Sequence, residues 1–179
     1  MDVLHGLVEK YDIQREDVEE INVGPALGML MTYRARGTMD AAFSLAYMLA
    51  VSLFESNPGF GWYTDEIMHN PKVIEMTKRI KKAEGALDAD LNHEFRNYWK
   101  GFWMPVQVEV VLKGGKRFMG HATYPKGHPS NPLTDEEFEK KFAYASRCVL
   151  KEDRVKQVVK LVEKLETIPD ISELVNIIH

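Results

Sequence analysis

The chain has 179 residues, 45% hydrophobic and 28% charged, with a formal net charge of −4. That is enough for one domain with a self-sufficient core and a terminal helical appendage, and its acidic balance argues against a general nucleic-acid or anionic-membrane binder. Cys148 is the single cysteine, which excludes an internal disulfide and a thiolate metal site and fits a cytoplasmic location.

Val3, Leu4, Leu7, Val8 and Tyr11 recur at helical spacing, so the chain is predicted to open in the middle of helical structure, with no N-cap signature other than Asp2 itself. Asp2, His5, Glu9 and Lys10 interrupt any apolar run of the kind a signal peptide needs. A turn over Asp12 to Asp17 precedes Val18 to Val23, whose alternation predicts a half-buried strand ended by Gly24-Pro25. Residues 26–36 read as irregular. Thr38 is expected to cap one helix running to about Glu55, with Asp40 in its first turn. The apolar stretch Ala41 to Phe54 inside it is too short to span a bilayer and reads as a buried helix. After the break at Asn57 to Gly61, Thr64 caps a short helix, and Pro71 opens another reaching roughly Lys82. Lys72, Lys78, Arg79, Lys81 and Lys82 form the local basic run, read as a solvated helix face.

Ala83 to Lys100 is expected to hold a short strand and a helix through His93 and Tyr98. Pro105 to Thr123 has the alternation of a β-hairpin turning at Gly114-Gly115. Three helices follow, from Thr134, Glu152 and Asp170, the second carrying the stripe Val155, Val158, Val159, Val162 and Leu165. The predicted class is α+β: a small, mostly antiparallel sheet including the hairpin at about 105–123, covered by helices. The expected division is an α+β domain over 1–150 and a C-terminal helical segment over 151–179 that packs on it or on a partner.

The chain carries no GxGxxG, Walker loop or GxSxG elbow. No two of its six histidines fall at i,i+3 or i,i+4 spacing, so neither a metal site nor a cofactor is predicted. Cys148 reads as a buried structural cysteine late in a helix, and Ser44 as a helix-interior residue with no adjacent base. The loop Tyr124 to Pro132 differs in kind. Pro125, Pro129 and Pro132 fix its backbone and hold Lys126 and His128 in place. Two readings stand for it: a rigid connector with solvent-facing Lys126 and His128, or a loop presenting them beside a helix N-terminus that favours an anion. Tyr47 reads either as a core phenol with one satisfied hydroxyl or as a donor at a cleft wall.

Several segments carry a resemblance. Met1-Asp-Val-Leu with Glu16-Asp-Val-Glu-Glu-Ile-Asn-Val23, Asp40-Ala-Ala-Phe-Ser-Leu-Ala-Tyr47, Tyr63-Thr-Asp-Glu-Ile with Asn70-Pro-Lys-Val73, and Pro125-Lys-Gly-His-Pro-Ser-Asn-Pro-Leu-Thr134 occur in that order. They resemble passages of the MmgE/PrpD family, which includes 2-methylcitrate dehydratase, cis-aconitate decarboxylase and iminodisuccinate epimerase. The terminal Leu165 to Leu174 resembles that family's closing helices.

The resemblance implies a smaller α+β domain normally joined to a larger helical one, with a metal-free site for small polycarboxylates between them. It implies proton removal or delivery next to a carboxylate, coupled to loss of water, loss of CO₂ or epimerisation. Tyr47 is carried over as a cleft residue and candidate catalytic group, and Lys126 and His128 as candidate substrate-binding residues. Most of the family's acid/base residues belong to the helical domain, so a separate helical subunit is the expected partner and the chain alone is expected to be inactive. Its lysine-containing segment before the Asp2-like position is also missing, and Arg34 to Gly37 stands where the family has a proline. The rival reading is a non-catalytic polycarboxylate-binding or oligomerisation module. Homo-oligomers would hide a docking surface for which Tyr33, Phe60, Trp62, Trp99, Phe102 and Trp103 are the aromatic candidates.

Overall fold

The computed structural model describes residues 1–24, 36–83 and 106–178. Among them are eight α-helices and four strands, arranged as two compact units, Met1–Asn131 and Pro132–His179. The expected α+β class is what the structure has.

The first unit is built on a four-stranded mixed sheet of order β2-β1-β3-β4, with β1 at Val18–Gly24, β2 at Ile80–Lys82, β3 at Val106–Leu112 and β4 at Arg117–Ala122. β3 pairs antiparallel with both β1 and β4, while β2 adds to β1 in parallel. One face of the sheet supplies Ile21, Val23, Val108 and Val110 to the core. Strand alternation puts Asn22, Glu109 and Arg117 on the other. There the nearly buried Glu109 carboxylate accepts from Asn22 Nδ2 at 2.9 Å and from Arg117 Nη1 at 3.1 Å.

Helix α1 (Asp2–Tyr11) buries Leu4 and Leu7 and lies along β4. The approach is close because β4 offers Gly120: a Cβ there would stand 3.0 Å from Val3 Cγ1 and 3.3 Å from Leu7 Cδ2. Short helices α2 (Thr38–Ala42), α3 (Leu45–Ser52) and α4 (Asp65–Met68) lead to α5 (Pro71–Arg79). Leu49, Val51, Trp62, Val73 and Met76 complete the core.

Two expectations are corrected here. The helix predicted from Thr38 to Glu55 is two helices broken at Phe43–Ser44. Its N-cap is Gly37, not Thr38, and the break exists because the Ser44 hydroxyl accepts the Tyr47 N–H at 3.0 Å and caps a new helix. Ser44 is thus a cap rather than a helix-interior residue. The helix from Pro71 stops at Arg79, because Ile80–Lys82 are drawn into the sheet beside Ile21, Asn22 and Val23. The caps expected at Thr64 and the Pro71 start are present. The predictions for residues 26–35 and 84–100, and for Tyr33, Trp99, Phe102 and Trp103, lie outside the described residues.

The second unit holds α6 (Asp135–Ser146), α7 (Glu152–Val162) and α8 (Ser172–Ile178). A full capping box opens α6: Thr134 Oγ1 accepts from Glu137 N at 3.2 Å, and the Glu137 carboxylate accepts from Thr134 N at 2.8 Å. Leu150, Val155 and Val158 form a small core with Phe142, Ala143, Leu174 and Ile177. Cys148 is exposed beyond the end of α6, not buried within it, since that helix finishes at Ser146. No helix of the described residues is long and apolar enough to cross a membrane.

Candidate functional site

The loop after β4 closes on itself. His128 N donates to Pro125 O at 3.1 Å, Asn131 N to His128 O at 2.7 Å, and Gly127 N to Asn131 O at 2.8 Å. Asn131 Nδ2 reaches back to Tyr124 O at 3.1 Å. Gly127 has φ 91, left-handed backbone that glycine adopts without a Cβ clash. Prolines set the corners, and these bonds fix what lies between them.

Both predicted binding residues sit on this loop. The His128 ring stacks on Tyr124 with centroids 4.5 Å apart and planes 16° apart. Its Nδ1 lies 3.0 Å from the Ser130 N–H, which it accepts. In the neutral imidazole the proton therefore belongs on Nε2, making that atom the ring's donor. Lys126 is exposed, and its backbone N–H donates to Asp2 Oδ2 at 2.8 Å. The start of α1 thereby anchors the loop across 124 residues of sequence.

Tyr47 lies elsewhere, in α3, only 2% exposed. Its hydroxyl donates to the Trp62 carbonyl. Burial, helped by the nearby Tyr63, pushes the phenol up to about 12, so it is a neutral group throughout the ordinary pH range. Of the two sequence readings, the core phenol with a satisfied hydroxyl is the arrangement seen. Trp62, one of the proposed docking aromatics, is equally buried at 2%, whereas Phe60 is 85% exposed.

Helix α1 runs between the two places. Asp2 at its start holds the loop, and His5, one turn later, lines a cavity together with Ser52 at the end of α3. Burial holds the His5 imidazole below its usual range, and its Nε2 is buried without a hydrogen-bond partner. Asp2, Ser130 and Asn131 are supports of this loop that the residue pattern did not reveal. Among the described residues no group of three or more His, Cys, Asp or Glu side chains could hold a metal ion.

Residues 1–167 match the C-terminal domain of the MmgE/PrpD family. Cis-aconitate decarboxylase of Mus musculus is 25% identical over 139 residues, 78% of this chain and 27% of that protein. Cis-aconitate decarboxylase of Homo sapiens is 32% identical over 72 residues, 40% of this chain and 15% of that protein. The chain thus spans well under half the length of the curated relatives it matches.

Proposed function

The chain belongs to the MmgE/PrpD family as its C-terminal domain, and from that premise we propose that it is the substrate-holding part of a dehydratase-type lyase for small polycarboxylates. The observation that carries this reading is the built loop of Tyr124 to Asn131, in which Ser130, Tyr124 and Asp2 fix His128 and the backbone of Lys126.

A lyase of this kind must remove a proton next to a carboxylate whose own charge opposes that removal. Cations and N–H donors set against the carboxylates lower the cost. Lys126 would supply a point charge, and His128 Nε2–H a directed hydrogen bond. Tyr47 would act as a neutral donor once its hydroxyl leaves the Trp62 carbonyl, since its raised pKa keeps the phenol protonated. The base that takes the proton would come from a part of the family's fold outside the C-terminal domain matched here.

The test is affinity isolation of the tagged chain from its source cells, mass analysis of what accompanies it, and assay of the assembly on 2-methylcitrate and cis-aconitate. Turnover by a stoichiometric complex with a helical protein, and none by the chain alone, is the expected result. Turnover by the isolated chain would overturn the division of labour.

A second reading rests on the engaged Tyr47 hydroxyl: a module that binds polycarboxylates without reacting them. Recovery of the chain alone or as a homo-oligomer, binding but never converting these acids, would favour it.

A further inference from the structure

The basic run of residues 72–82 faces solvent at Lys72, Lys78, Lys81 and Lys82, but it is split between α5 and β2. Lys72 and Arg79 are seven residues apart on α5 and share a helix side. Both line a groove of about 370 Å³, together with Arg15 from the turn before β1 and Lys113 from the hairpin turn. Phe54, Pro71 and Met76 give it apolar surface, and Glu16 and Glu75 are the acids that line it.

Both acids are already matched. Arg15 Nε lies 2.8 Å from Glu16 Oε1, and Lys78 Nζ lies 3.1 Å from Glu75 Oε2. Arg79 Nη1 donates to the Val18 carbonyl at 2.7 Å, a neutral acceptor that fixes the guanidinium without cancelling its charge. Lys72 and Lys113 form no ion pair among the described residues. The scaffold is tied together, since Lys113 N donates to Asp17 O at 2.9 Å and the Arg15 guanidinium lies over the Phe54 ring, 4.7 Å from its centroid. Four cations against two acids therefore line one groove in a protein of net charge −4.

We propose that this groove is a binding site for a small multivalent anion, a polycarboxylate or a phosphate compound, held by Lys72, Arg79 and Lys113. It is distinct from the Lys126–His128 loop and stands whether or not that loop binds substrate. The groove's size suits a ligand of citrate or pyrophosphate dimensions.

The experiment is calorimetric titration of the chain with citrate, pyrophosphate and acetate at constant ionic strength. It is repeated on the Lys72→Gln/Lys113→Gln double variant and on Lys126→Gln, with folding checked by circular dichroism. Saturable binding of citrate or pyrophosphate but not acetate is expected, weakened about tenfold or more in the double variant, because charge-assisted contacts are the strong ones. Citrate alone would make the ligand a polycarboxylate, and pyrophosphate alone a phosphate compound. The proposal is overturned if neither anion binds saturably or if the double variant binds as tightly as the parent chain. It is also overturned if only Lys126→Gln weakens binding, a result that would place the acid on the loop and favour the proposed function instead.

Discussion

Asp2 accepts the backbone N–H of Lys126 at 2.8 Å. One carboxylate at the start of the first helix therefore sets the conformation of a loop more than a hundred residues later. The side chain of Lys126 is exposed, but its backbone is held. Replacing Asp2 with Ala removes that hold. Stability should fall by about 1 kcal/mol, the usual net worth of one hydrogen bond, and amide exchange at Lys126 should accelerate. Urea titration and hydrogen exchange measure the two effects.

Gly127 is the second support of the loop. With φ at 91, an added Cβ is strained whatever space surrounds it. Gly127→Ala should cost about 1–2 kcal/mol and loosen the Tyr124–His128 stack, visible as a change in the His128 ring resonances. A stability equal to the parent chain's would show that the loop does not need this conformation.

Tyr47→Phe separates structure from chemistry. It removes the hydrogen bond to the Trp62 carbonyl and leaves a buried acceptor unmatched, at a cost of about 1–3 kcal/mol. The alkaline limb also carries a sign. With the folded-state phenol pushed up to about 12, the folded chain keeps a proton that the unfolded chain loses near pH 10. The contribution is whole below about pH 10 and is lost as pH rises toward 12. Thermal melts across that range should steepen for the parent chain and flatten in the variant.

His5 gives the opposite limb. Burial depresses its imidazole, so below about pH 6.5 the unfolded state takes up a proton that the folded state resists. Stability should be whole above that pH and decline as pH falls through the folded value. His5→Gln should lose less stability than the parent chain between pH 7.5 and 5.5, measured as the shift in urea midpoint.

Much of the architecture was legible because local signals and tertiary pairing agree. The alternation of Val106 to Leu112, the Gly114-Gly115 turn, the Pro71 start and the helix start at Thr134 each specify an element whose surroundings accept it. Ile80–Lys82 was not legible, since three residues at a helix end become a strand only when β1 stands alongside. Ser44 carried a readable signal, a hydroxyl three residues before Tyr47, but the apolar run around it masked a cap as helix interior. The loop's proline pattern pointed to Lys126 and His128. Asp2, which fixes the loop from the far end of the unit's sequence, could not be found from spacing, because a contact across 124 residues leaves no periodicity.

The direct test of the proposal that Lys126 and His128 hold a small polycarboxylate is a titration of the ¹⁵N-labelled chain with a tricarboxylate, followed residue by residue. Saturable shifts are expected at Lys126, Gly127, His128 and Ser130, lost in a Lys126→Met/His128→Gln double variant that keeps the parent fold. Saturation with no movement in these four residues, or equal binding by the double variant, would contradict it.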